Sequence, residues 1–219
     1  MENWDILVID RSGSMIPNIK KIKDGFDNLV LEQKNNGSIN KFTLVGFNSG
    51  VEIIRDEKFP DVSYIKHSEL IFSGTTALLD AIGNVYDMIY YNENVKNKKY
   101  KTVTITIITD GFENSSKFYT IEELDEKKKL IDEKITLIIL FIGTDYDCIR
   151  KNVINLHITQ SFNCEGDIPS AFRMASKSMS ETHENIETSP ERDDINKFCK
   201  KRSFLECNSD TLPPVIKRQ

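Results

Sequence analysis

No apolar run in this 219-residue chain approaches the roughly eighteen residues needed to cross a bilayer, so a helical membrane span is excluded. Clustered basic charge is missing too: 29 Lys and Arg face 34 Asp and Glu, the net charge is −5, and both signs are scattered. That distribution lacks the basic face of a duplex nucleic-acid binder. Cysteine is scarce, and Cys148, Cys164, Cys199 and Cys207 are separated by 15, 34 and 7 residues, which is neither C-x-x-C nor a zinc-ribbon spacing. Reduced thiols are expected. The first residues open on a strand pattern with no basic region or cleavage site, and the expectation is a soluble, cytoplasmic protein. Histidine is rarer still: His67, His157 and His183 have no Ser/Asp arrangement around them, and there is no Gly-rich phosphate loop with lysine. The chain does not read as an enzyme.

What is present is an alternation of strand and helix signals. Trp4 to Asp10 is a short apolar run, the pattern of a strand covered on both faces, and it is the expected central strand. Ile16, Ile19, Ile22, Phe26, Leu29 and Val30 recur every three or four residues, predicting a helix over Met15 to Lys34. Lys41 to Asn48 and Val51 to Arg55 read as strands joined at Ser49-Gly50, hence an antiparallel hairpin. Further along, Thr76 to Tyr91, Thr120 to Lys134, Asp145 to Asn152 and Ile168 to Met179 are predicted helices. Thr102 to Thr109, Thr136 to Ile142 and Leu156 to Thr159 are predicted strands. The reading is an α/β domain over 1–180, a six-stranded and mostly parallel sheet with right-handed crossovers and helices on both faces. Residues 181–219 form a charged extension, with a short helix expected around 190–206 after Ser189-Pro190-Glu191.

In open parallel sheets ligands bind beyond the carboxyl ends of the strands, where strand order reverses. The predicted strand ends carry Asp10, followed by Ser12 and Ser14, and Asp110, while Thr75 and Thr76 stand at a helix start. Two carboxylates and three hydroxyls suit a hard divalent ion, Mg²⁺ or Mn²⁺, and disfavour zinc and copper. Because hydroxyls are neutral ligands, such an ion keeps much of its charge and attracts an outside carboxylate. Around the same rim stand Arg11, Asn48, Phe112, Glu113, Asn114 and Asp145. Phe112 and Arg11 are the stronger candidate anchors for a partner, since aromatic and arginine side chains carry a disproportionate share of interface energy.

The segments DRSGSM, GTTALLDAI and ITDGFEN, in that order and at compatible spacing, resemble the three motif segments of the von Willebrand factor type A domain. The resemblance covers roughly residues 3 to 180. It implies a doubly wound sheet with one antiparallel edge strand and a metal-ion-dependent adhesion site. Carried over position by position, Asp10, Ser12 and Ser14 match the first motif, Thr76 the second and Asp110 the third. The implied function is Mg²⁺-dependent protein binding, with an exposed acidic residue of the partner completing the coordination sphere. Two alternatives use the same residues: a metal-assisted hydrolase or phosphoryl-transfer enzyme, and a purely structural ion.

Overall fold

The structure, a computed structural model, describes residues 2–35, 41–59, 61–110, 113–143 and 160–163, and within the last helix 167–170, 172–173, 175–177 and 179–180. The helix expected at Asp145 to Asn152, the strand expected at Leu156 to Thr159 and the extension 181–219 lie outside the described residues, as do Phe112 and Asp145.

Strand β1 (Glu2–Asp10) occupies the centre of the sheet. It pairs in parallel with β2 (Lys41–Phe47) on one side and β4 (Tyr100–Thr109) on the other. Beyond β4 lie β5 (Thr136–Gly143) and β6 (Gln160–Asn163), both parallel, while β3 (Val51–Lys58) closes the opposite edge antiparallel to β2. The order β3-β2-β1-β4-β5-β6 therefore reverses between β1 and β4.

Both faces of the sheet are covered, which is why Ile6 to Ile9 of β1 and Leu137 to Ile142 of β5 are apolar without alternation. Leu7 and Ile9 of β1 pack with Phe26 and Leu29 of α1 (Ile19–Asn35) and with Phe172 of the last helix. Trp4, Ile6 and Val8 face the other way, against Leu78, Val85 and Ile89 of α2 (Leu78–Tyr91) and Leu124 and Ile131 of α4 (Ile121–Asp132). A short α3 (Glu93–Lys96) leads into β4, capped by the Asn92 side chain, which accepts from Asn94 N at 2.9 Å.

The element boundaries move where side chains intervene. Gly13–Asn18, which contains Pro17, is a 3₁₀ segment, and the α-helix begins at Ile19 instead of Met15. Helix α2 starts at Leu78, two residues later than expected, since the backbone of Thr76 and Ala77 is engaged by neighbouring loops: Ala77 N donates to Asn48 O at 2.8 Å. Thr120 is the N-cap of α4, with Glu123 completing a capping box. Strand β3 runs three residues past Arg55 and carries a bulge, for Leu44 faces Arg55 while Val45 faces Ile53. The bulge accompanies an inward Arg55, which donates to both Glu69 carboxylate oxygens at 2.5 Å and to the carbonyls of Ser63 and Tyr64. This pair holds the Glu69 carboxyl below its usual range and pins the long connection after β3.

Helix α1 is held close to the last helix by a missing side chain. A Cβ placed on Gly25 would lie 2.3 Å from the fully buried Phe172 ring. Helix propensity alone favours alanine there by about 1 kcal/mol. We expect the opposite sign: Gly25→Ala lowers the unfolding free energy measured in urea by about 1–3 kcal/mol through overpacking, and Phe172→Leu in the same background recovers part of the loss.

Candidate metal centre

Parallel pairing of β1 with β4, which aligns Ile9 with Ile108, brings Asp10 beside Thr109 and Asp110 at the carboxyl edge. Asp10 is fully buried. Its Oδ1 accepts from Ser12 N at 2.8 Å and its Oδ2 from the Thr109 hydroxyl at 2.5 Å, so both oxygens are held. The hydroxyls of Ser12 and Ser14 lie 2.9 Å apart, and Ser14 Oγ donates to Asp110 Oδ1 at 2.8 Å. Four of the five predicted ligands are thus joined in one continuous hydrogen-bonded chain.

Thr76 arrives by backbone bonds. Gly74 O accepts from Gly13 N at 3.1 Å and Arg11 O from Ser73 N at 2.9 Å, tying the 73–76 loop to the first loop. Gly74 has φ +77°, a conformation that favours glycine. Asn114 then clamps Thr76 from the other side: its Oδ1 accepts from Thr76 N at 3.0 Å, and its N donates to Thr76 O at 3.1 Å. Thr76 is buried, and its hydroxyl makes no hydrogen bond with the other four candidates.

Burial raises the carboxyl pKa of Asp10, and the nearby Asp110 charge adds to the shift against the hydrogen bonds that lower it. Asp110 is raised for the same first reason. Among the described residues neither carboxylate has a Lys or Arg partner. Two acids held together without a countercharge, among hydroxyls, form a donor set that fits a hard cation. No group of three or more His, Cys, Asp or Glu side chains placed to hold a metal ion occurs among the described residues, so the candidate set has two carboxylates and otherwise hydroxyls.

The predicted rim is largely reassigned. Arg11 does not project as a surface anchor: it is buried and pairs with Glu52 at 2.8 Å. Glu113 turns inward, accepting from Leu79 N, Ser115 N, Ser116 N and the Ser116 hydroxyl, and so caps the start of α2. Asn114 is the clamp on Thr76. Asn48 closes its own turn, its Oδ1 accepting from Gly50 N at 3.1 Å. Thr109 and Asp80 were missed by the motif reading. Asp80 is buried near the start of α2 and accepts from the backbone N–H groups of Lys117, Phe118 and Tyr119, holding down the segment after Asp110. A threonine directly before Asp110 and an acid two residues into α2 were the available signals.

No protein-family model matches the chain, and no curated protein matches it. Solved structures do. The PilB minor pilin from Streptococcus sanguinis is similar with a TM-score of 0.61 at 12% identity, over 82% of this chain and 61% of that one. The pilus adhesin SpaC from Lactobacillus rhamnosus GG, in an open conformation, has a TM-score of 0.56 at 14% identity, over 82% of this chain and 30% of that one. The ArnB paralog VWA2 from Sulfolobus acidocaldarius has a TM-score of 0.52 at 18% identity, over 76% of this chain and 43% of that one. The chain therefore spans less than two thirds of each of these proteins. At such identities the likeness speaks for the fold alone, and it agrees with the strand order and the antiparallel edge: the fold of this chain is von Willebrand factor type A-like.

Proposed function

We propose that the chain is a divalent-metal-dependent protein-binding module in which Asp10, Ser12, Ser14, Thr76 and Asp110 hold a Mg²⁺-type ion. A bound ion would supply an electrophilic position for a carboxylate of the partner. The observation that carries this reading is the pair of acids, Asp10 buried and Asp110 partly buried, linked through Ser12 and Ser14, with no Lys or Arg paired to either among the described residues. Asp10 takes a positioning bond from Thr109 and from Ser12 N, which leaves it oriented before any ligand arrives. Asn114 and Glu113 set the height of the Thr76 loop through the backbone, and Gly74 permits its turn. The matched pilus adhesin is consistent with a protein partner. Residues 1–180 constitute the module and 181–219 an extension of it. A cytoplasmic setting, expected from the sequence, belongs to the same reading.

In a thermal melt, Mg²⁺ at a hundredfold excess over its Kd should stabilise the protein by about 2.7 kcal/mol. For a domain of this size that is an upward shift of about 5–10 °C. Asp10→Ala and Asp110→Ala should abolish the shift, and affinity capture from the native cell should lose its partners in chelator. Recovery of the same partners with chelator, or with Asp10→Ala, would overturn metal-dependent binding.

The pKa directions give a second test. A carboxyl whose pKa is raised in the folded state contributes stability that is fully present below its unfolded pKa and is lost as pH rises through its folded pKa. In chelator, Asp10→Asn should therefore melt higher than the wild type at neutral pH, and the difference should shrink as pH falls through the raised pKa of Asp10. Adding Mg²⁺ should reverse the ranking at neutral pH. A difference that stays constant from neutral pH down to about pH 4 would remove Asp10 ionisation as its cause.

A further inference from the structure

Beside the candidate ion site, a groove of about 370 Å³ opens between the β2–β3 turn and the 70–76 loop, lined by Arg11, Asn48, Gly50, Glu52, Ile71 and Ser73. Its floor is a charge that cannot leave. The Arg11 side chain is only 10% exposed and lies flat against β2, where a Cβ on Gly46 would sit 2.3 Å from its Nε. Its countercharge is different in kind: Glu52, on the edge strand, is 64% exposed and touches the guanidinium through one bond, Nη2 to Oε2 at 2.8 Å. A guanidinium carries five N–H donors and stays protonated, so four remain for other acceptors. Nε is among the described polar atoms that are buried without a partner.

We propose that this groove is a carboxylate-binding subsite, closed in the free protein by Glu52 and opened when a carboxylate of a binding partner takes the place of Glu52 on Arg11. The exchange is isoelectric, so Arg11 is never left buried without a countercharge, which would be the costly outcome. An incoming carboxylate can use two donors of the planar fork where Glu52 uses one. A monoanion is favoured over a phosphate dianion because the displaced Glu52 remains near the mouth and repels the dianion more strongly. Ile71, which is 65% exposed at the rim, offers apolar contact to the stem of an acidic side chain. Arg11 sits between Asp10 and Ser12 in the chain, so the subsite abuts the ion site. It extends the metal-dependent reading to a partner with two acidic residues, and it rests on that reading for its biological role. Carboxylate binding at Arg11 itself needs no ion.

The test is a solution NMR titration of the full chain with acetate at constant ionic strength, in chelator, following the Arg11 Nε–H resonance. A saturable shift is expected, and Glu52→Gln, an exposed substitution that removes the competitor, should saturate at about three- to fivefold lower acetate. Inorganic phosphate should bind more weakly than acetate in the wild type, and Glu52→Gln, which removes the repelling charge, should narrow that difference. Arg11→Lys should lose the response at the Gly50 and Ser73 amides. Equal titration of Glu52→Gln and wild type would overturn the displacement of Glu52, an unmoved Nε–H would overturn the subsite, and preference for phosphate would overturn the carboxylate assignment. Since chelator is present throughout, none of these results bears on the ion site. Conversely, an absent Mg²⁺ shift with an acetate-responsive Arg11 would remove the metal reading alone.

Discussion

The whole carboxyl edge depends on the parallel pairing of β1 with β4, the one place where neighbouring strands lead the chain in opposite directions across the sheet. At that point the loops following the two strands diverge, and the strand ends are left open to each other instead of being covered by a crossover. The register sets Asp10 beside Thr109, and the 2.5 Å bond from the threonine hydroxyl locks the carboxylate in the seam. Everything else at the edge refers to this position. Ser12 is held by Asp10, Ser14 by Ser12 and Asp110, and the Thr76 loop by the backbone of Arg11 and Gly13.

Charge is handled unevenly across the molecule, and the contrast is informative. Arg55 is turned inward and met by Glu69 with additional carbonyl acceptors. Asp80 is buried and met by three backbone N–H groups. Such compensation is what burial of an ionised group demands. Asp10 and Asp110 receive hydrogen bonds from hydroxyls and backbone N–H groups yet have no Lys or Arg partner among the described residues, and burial raises the pKa of both carboxyls. Arg11 is intermediate, with one exposed partner and unused donors. The two undercompensated places, one negative and one positive, lie side by side at the same edge. That juxtaposition is the physical reason to look for ligands there and not at the apolar faces, which α1, α2 and α4 already cover.

Much of this was legible in the linear order of residues. The antiparallel β2–β3 pair followed from a two-residue turn between apolar runs, and the central place of β1 from its apolar run Ile6 to Ile9, because a strand covered on both faces has no polar alternation to show. Candidate oxygen donors were readable because strand ends and helix starts punctuate the pattern, while the choice of Thr76 over Thr75 came from the resemblance of GTTALLDAI. The bulge in β3 was not readable, since it belongs to the pairing of Leu44 and Val45 with a strand that carries one extra residue. Nor was the start of α2, where tertiary hydrogen bonds to Thr76 and Ala77 override a local preference for helix.

The sequence by itself determined the fold class, the hairpin and the chemical types at the edge, because periodicity and oxygen-donor content are properties of residues taken one segment at a time. Only the tertiary structure decided what those side chains do. It turned Arg11, Glu113 and Asn114 from a recognition rim into a groove floor, a helix cap and a loop clamp, and it brought Thr109 and Asp80 into the support of the site. The reason is geometric: whether a polar side chain meets solvent or a neighbour depends on which loop packs beside it, and at this edge the neighbours come from segments about 35 to 100 residues apart in the chain.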